Sequence, residues 1–270
     1  MTLEGVGELG VSSWLVIVFV ALLGLVIGSF LNVVAWRVPN GVSIVRPPSA
    51  CPQCGHTIRG RDNIPVLSWL LLRGKCRDCG APISIKYPIV EAVTAVLFVL
   101  VLLKFGLGIE FLAYAYLAAI AVVLTVIDLE AHRLPDVIVL PAYPVLVVLF
   151  AAESLVTGDW WPLATAAIGG AILFVLYFVA AIAYPGGMGF GDVKLAGVLG
   201  IALGWLGWGP LVVGAFAAFL IGGITGILLI AVRKSGRKTG IPFGPFMFAG
   251  AFVGIAVGAQ IWDSYLGVWT

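Results

Sequence analysis

Long apolar runs, separated by short polar or glycine- and proline-bearing connections, set the pattern of the chain. Segments near 13–36, 88–105, 110–128, 137–153, 163–184, 194–206, 209–232 and 243–263 are apolar, and a helix crossing a bilayer needs roughly 20 such residues. The sixth segment is short, and 194–232 could form one bent helix. However, Gly204, Gly207, Gly209 and Pro210 cluster where a tight hairpin is needed, so the pattern predicts two helices there. The fold class is therefore an all-α polytopic membrane protein with about eight transmembrane helices. One long interval, 37–87, interrupts the apolar pattern and divides the chain into a first transmembrane helix (1–36), a loop domain (37–87) and a seven-helix core (88–270). Residues 1–12 carry Glu4 and Glu8 but no Lys or Arg, which argues against the basic start of a cleaved signal peptide.

Composition agrees with this picture. The chain is 61% hydrophobic and 10% charged, with a mean hydropathy of +1.14, whereas soluble domains carry about 25% charged residues. An ordinary soluble domain, a disordered chain and a collagen-like repeat are all excluded. Glycine is abundant, 35 of 270 residues, as expected where helices approach closely in a bilayer. Gly24, Gly28 and Asn32 fall at four-residue spacing on the first helix. This spacing predicts a packing face on which Asn32 finds an interhelical hydrogen bond. Pro141 and Pro144 predict a kink in the fourth helix, relieved by its neighbours.

The net charge, +2, is uninformative, but its distribution gives an orientation. With eight spans, Arg37, Arg46, Arg59, Arg61, Arg73, Lys75, Arg77, Lys86, Arg133, Lys194, Arg233, Lys234, Arg237 and Lys238 fall on one side and Lys104 alone on the other. The positive-inside rule makes the crowded side cytoplasmic, with both termini extracytoplasmic.

All four cysteines lie in the 37–87 loop, as Cys51-Pro-Gln-Cys54-Gly and Cys76-Arg-Asp-Cys79-Gly, with 21 residues between Cys54 and Cys76. Each Cys-x-x-Cys-Gly turn presents two thiolates to one ion, and two such turns complete a tetrahedral zinc site of the ribbon kind. Two disulfides are the alternative, which a reducing cytoplasm disfavours. A closed four-thiolate site has no open coordination position, so its role is to fold the loop. His56 is read as a surface residue. The arginines around the cysteines are explained by topology and anionic headgroups, without invoking nucleic acid.

Acidic residues in or beside apolar helices are costly and mark candidate sites. Glu91, Asp128, Glu130, Asp136 and Asp192 are the ones at the junctions of the spans with the basic side. Glu91 is expected in the first turn of its helix with a structural role, Asp136 as an N-cap, and Glu130 as a solvated loop charge. Asp128 ends the third helix and Asp192 opens the sixth, after the glycine-rich run Gly186-Gly187-Met188-Gly189-Phe190-Gly191. Two carboxylates meeting at the edge of a low-dielectric bundle would share a proton, one serving as base toward water and the other as acid. That is aspartyl-protease chemistry; a proton-coupled transporter with a cytoplasmic zinc domain is the alternative.

The motifs GLVIGSFLNVVAWRVP (24–39), ISIKYPIVE (83–91), IDLEAHRLPD (127–136), GMGFGDVKL (187–195) and PFGPFMFAG (242–250), with the paired cysteines, resemble the bacterial prepilin peptidases. These are the type IV leader peptidase/N-methyltransferases of the Gly-x-Gly-Asp aspartyl protease group. The resemblance implies that Asp128 and Asp192 are the catalytic pair and that Gly189 and Gly191 are the glycines of the motif loop. It implies cleavage of prepilin or pseudopilin leaders after a glycine, at the cytoplasmic face of the bacterial inner membrane. It further implies methylation of the new N-terminus with S-adenosylmethionine, in which the 37–87 loop would take part, and service to pilus or type II secretion machinery. No binding residues for the methyl donor and no nucleic-acid partner follow from it.

Overall fold

The computed structural model describes residues 13–183, 188–233 and 242–268. Glu4, Glu8, Gly186, Gly187, Lys234, Arg237 and Lys238, all used in the sequence reading, lie outside the described residues. The chain divides into two compact units, Met1–Val126 and Ile127–Thr270.

In the first unit, helix α1 (Ser13–Arg37) packs on helix α3 (Lys86–Phe105). The small-residue stripe makes this possible: a Cβ added at Gly24 would lie 2.6 Å from Ala95 Cα, and one at Gly28 would lie 2.7 Å from Glu91 Cα. Asn32 supplies the expected interhelical bond, its Nδ2 donating to the Tyr87 carbonyl at 3.2 Å. Between the two helices runs the polar loop, which contains a short helix α2 (Leu67–Leu71). The loop is fastened at several points. Buried Arg37 donates to the carbonyls of Ser43 (2.8 Å) and Pro47 (2.6 Å), and the Trp69 indole donates to Ile83 O at 3.0 Å. Glu91 lies in the second turn of α3, not the first, and has a specific partner. Its carboxylate accepts the Val66 N–H at 2.7 Å and a hydrogen bond from Ser29, anchoring the loop. Val66 itself has φ of +58°, a conformation costly for a β-branched residue. Helix α4 (Ile109–Ala131) follows and carries Asp128 in its last turn.

The second unit is built around α7 (Phe190–Trp205), on which α5 (Asp136–Thr157), α6 (Trp161–Ala183), α8 (Trp208–Arg233) and α9 (Gly244–Gly267) all pack. From Asp192 to Trp205 every residue of α7 except Lys194 is buried. Glycines bring the backbones together: an added Cβ at Gly169 would lie 2.7 Å from Gly200 O, one at Gly204 2.5 Å from Thr165 O, and one at Gly254 2.6 Å from Pro210 O. Helix α5 continues through Pro141 and Pro144. Gly207, at φ +108°, makes the predicted tight turn between α7 and α8.

Among the described residues seven helices are long and apolar enough to cross a membrane, making this a multi-pass membrane protein. The eighth long helix, α7, has 16 residues. At 1.5 Å per residue it spans about 24 Å, short of the roughly 30 Å hydrocarbon core. It begins at Phe190 rather than 194, because the glycine-rich segment already turns helical there. Its surroundings are protein on every buried face.

Candidate active site and metal centre

Asp128 and Asp192 both belong to chemistry-bearing ends of helices: the last turn of α4 and the first turn of α7. Both are buried, at 5% and 9% relative exposure, and they are close enough to interact electrostatically. Each carboxylate is held by the backbone N–H of a glycine. Gly189 N donates to Asp192 Oδ2 at 2.9 Å, reaching back from the N-cap position. Gly244 N donates to Asp128 Oδ2 at 3.0 Å. Among the described residues the second oxygen of each carboxylate accepts no hydrogen bond, which leaves it available to a ligand.

The surroundings fix these bonds. A Cβ on Gly191 would meet Leu134 Cβ at 3.0 Å, and one on Gly244 would meet Asp128 Oδ2 at 2.7 Å and Leu134 Cδ2 at 3.4 Å. Leu134 thus sits between the two carboxylate segments. Phe243, just before Gly244, packs against Tyr177 and Phe219, with ring centroids 6.3 and 5.5 Å away. Tyr177 in turn lies near Asp192. Gly244 is a site residue the sequence reading missed. It lay in the quoted motif PFGPFMFAG, but a glycine carries no side-chain chemistry to single it out.

Asp136 corrects an expectation. No side-chain cap bond is made at the start of α5, where Pro135 is the N-cap. The Asp136 carboxylate instead pairs with Lys194, both oxygens lying 2.7 Å from Nζ. Proline at the cap already orients the chain into the helix, so the carboxylate is free to reach α7. Glu130, expected in a loop, falls within α4 as an exposed residue.

In the other unit the four cysteines come together. Cys51, Cys54, Cys76 and Cys79 offer Sγ atoms all within 4.8 Å of one another. The two Cys-x-x-Cys-Gly turns are built alike. Cys51 N donates to His56 O and Gly55 N to Cys51 O; Cys76 N donates to Ala81 O and Gly80 N to Cys76 O, all at 2.8 to 2.9 Å. Gly55 and Gly80 both have φ of +72°, which closes each turn. Tetrahedral zinc with Zn–S of about 2.3 Å requires sulfurs about 3.8 Å apart, and Cys51 and Cys79 Sγ are 3.8 Å apart. The donor set and spacing fit a zinc ion.

The thiols also feel one another. Backbone N–H groups of Cys54 and Gln53 directed at Cys51 lower its thiol to about 6. At Cys79 the Ala81 N–H pulls downward, yet burial and the three neighbouring thiols push it up to about 12. Around them, Arg77 pairs with Asp62 (2.6 Å) and Arg59 with Asp78 (2.8 Å). Two of the arginines assigned to topology and headgroups thus also brace the loop.

Residues 22–105 match the model of the bacterial peptidase A24 N-terminal domain, and residues 115–229 that of the type IV leader peptidase family. The chain is 37% identical over 279 residues to the prepilin leader peptidase/N-methyltransferase of Aeromonas hydrophila, covering 94% of each. The chain belongs to the type IV leader peptidase family. Like-named relatives in Pseudomonas aeruginosa and Bacillus subtilis are 34% and 32% identical, over 91% and 90% of this chain and 91% and 95% of their own lengths. No solved structure matches the chain. Membership in this peptidase family leaves the transporter alternative without support.

Proposed function

We propose that the protein is a prepilin leader peptidase that also N-methylates its product, with Asp128 and Asp192 as the catalytic pair. The observation that carries the reading is the approach of two buried carboxylates from separate motifs, each held by a glycine N–H, in a chain related along its length to such enzymes. In this reading the pair shares one proton. The ionised member takes a proton from water, which attacks the scissile carbonyl after a glycine, and the protonated member delivers its proton to the leaving amine. In this reading Gly191 lets Leu134 close against the motif loop, where a Cβ would lie 3.0 Å from Leu134 Cβ, and Gly189 supplies the N–H that holds Asp192.

The distribution of Lys and Arg supports a cytoplasmic-face site in the bacterial inner membrane, with both termini outside. Pilins or secretion pseudopilins, and through them pilus or type II secretion machinery, are the matching partners. The four cysteines would hold a structural zinc ion, which ties the two turns of the 37–87 loop together and supplies no open coordination position. S-adenosylmethionine would supply the methyl group. Among the described residues no strand-turn-helix of the dinucleotide type occurs, so no residue is assigned to that donor. Residues 1–36, 37–87 and 88–270 would serve as first helix, methylation-associated loop and peptidase core.

Purified protein incubated with a prepilin and S-adenosylmethionine, followed by mass spectrometry of the product, tests both activities. Leader loss should disappear in Asp128→Asn and in Asp192→Asn while each variant still inserts. Cleavage retained by either would overturn the assignment.

A further inference from the structure

What fixes the distance between the two carboxylates is not explained by the glycine bonds, because each glycine positions only one of them. Asp128 and Asp192 enter from different helices with no hydrogen bond between them among the described residues. The segments that carry them are nevertheless joined. Asp136 lies eight residues beyond Asp128 and Lys194 two beyond Asp192, and Lys194 Nζ bonds both Asp136 oxygens at 2.7 Å. This side-chain bond links 127–136 directly to 189–195. Its geometry is restrained on the lysine side: the ammonium lies 5.0 Å from the Phe190 ring centroid, and the Lys194 side chain is 21% exposed. A second contact keeps the same register. The Tyr143 hydroxyl donates to the Lys194 carbonyl at 2.6 Å, and Tyr143 occupies the space that a side chain at Gly197 would need. Helix α5 therefore grips the first two turns of α7 at both the side chain and the backbone of one residue.

We propose that the Asp136–Lys194 ion pair is a positioning clasp that sets the Asp128–Asp192 separation for the cleavage reaction, with Tyr143 fixing the register of the helix that carries it. A surface ion pair contributes little to stability, so the pair's main effect is geometric. Misplacing reacting groups by about 1 Å can cost on the order of 100-fold in rate. The inference rests on the peptidase reading above.

Asp136→Asn, Lys194→Met and the exchanged pair D136K/K194D test it, assayed as purified, folded protein on a prepilin, with wild type and Asp192→Asn alongside. Each single variant should lose roughly 10- to 100-fold in kcat with KM within about twofold. The exchanged pair should recover most of that loss, which a general loss of stability would not produce. Wild-type kcat in both single variants overturns the clasp. So does an exchanged pair that melts like wild type yet cleaves no better than the single variants, or a kcat deficit that vanishes once activity is expressed per folded molecule. A wild-type protein that does not cleave the prepilin overturns the peptidase reading itself, a separate outcome.

Discussion

A methyl group placed at each of three glycines meets a different obstacle, which grades their effects on the site. At Gly244 it would lie 2.7 Å from Asp128 Oδ2, at Gly191 3.0 Å from Leu134 Cβ, and at Gly189 3.4 Å from Asp192 Oδ2. Only the last is ordinary contact. Alanine at 244 should therefore cost the most cleavage activity, roughly 100-fold, alanine at 191 less, and alanine at 189 least; parallel kcat measurements on the three variants check the order. The same residues show what a sequence discloses. Asp128 and Asp192 stood out because acidic residues are scarce at the ends of apolar helices. Gly244 did not, since its bond to Asp128 spans 116 positions and uses only a backbone N–H. Asp136 looked like a cap because its local setting matched one, while the lysine that claims it is 58 positions away.

At the scale of helices, close approach depends on glycine pairs facing each other. Gly200 on α7 meets the backbone of Gly169 and Gly170 on α6, with no space for a Cβ. Gly200→Val should separate these helices and cost several kcal/mol, as overpacking of a filled interior does at its upper end. A lower melting temperature in detergent and loss of cleavage would be measured together, and an unchanged melting temperature would count against the packing account. The packing face of α1 was legible beforehand, because Gly24, Gly28 and Asn32 recur every four residues, but its partner α3 was not. The α6–α7 crossing was not, since its glycines are scattered among many others and only the three-dimensional neighbour identifies the partner. The length of α7 was likewise misjudged at its start, where glycines concealed a helical turn.

For the whole molecule, a zinc ion held by the four cysteines would link the folding of the loop to a dissolved species. About one zinc per chain is expected by metal analysis. Because the thiols must give up protons to bind, affinity should fall as pH drops. The Asp62–Arg77 pair behaves differently: hydrogen bonding and charge from Arg77 hold the Asp62 carboxyl below its usual range. Its contribution is thus present above the ordinary carboxylate pKa and is lost only as pH falls through the lowered value. On acidification the metal should leave before this pair opens, giving an intermediate with released zinc and residual loop structure, detectable by a zinc dye and circular dichroism. Cys→Ser changes should reduce methylation or loop stability more than peptide cleavage, and equal loss of both would count against a purely structural metal. Paired oxidised thiols without metal would remove the zinc account altogether. The cysteine pattern was fully legible in sequence because each turn is local, five residues long, and the two turns repeat.

The enclosure of α7 also bears on how the protein is made. A helix of 16 residues whose sides are nearly all covered by protein has little reason to leave a translocation channel for lipid alone, and its carboxylate at residue 192 makes that exit costlier. Its main packing face is on α6, synthesised before it, and α8 and α9, synthesised after it, complete its enclosure. Helix α7 would therefore settle on α6 first and be closed over later, and the Gly244 N–H, on the last helix, would reach Asp128 only once the chain is nearly complete.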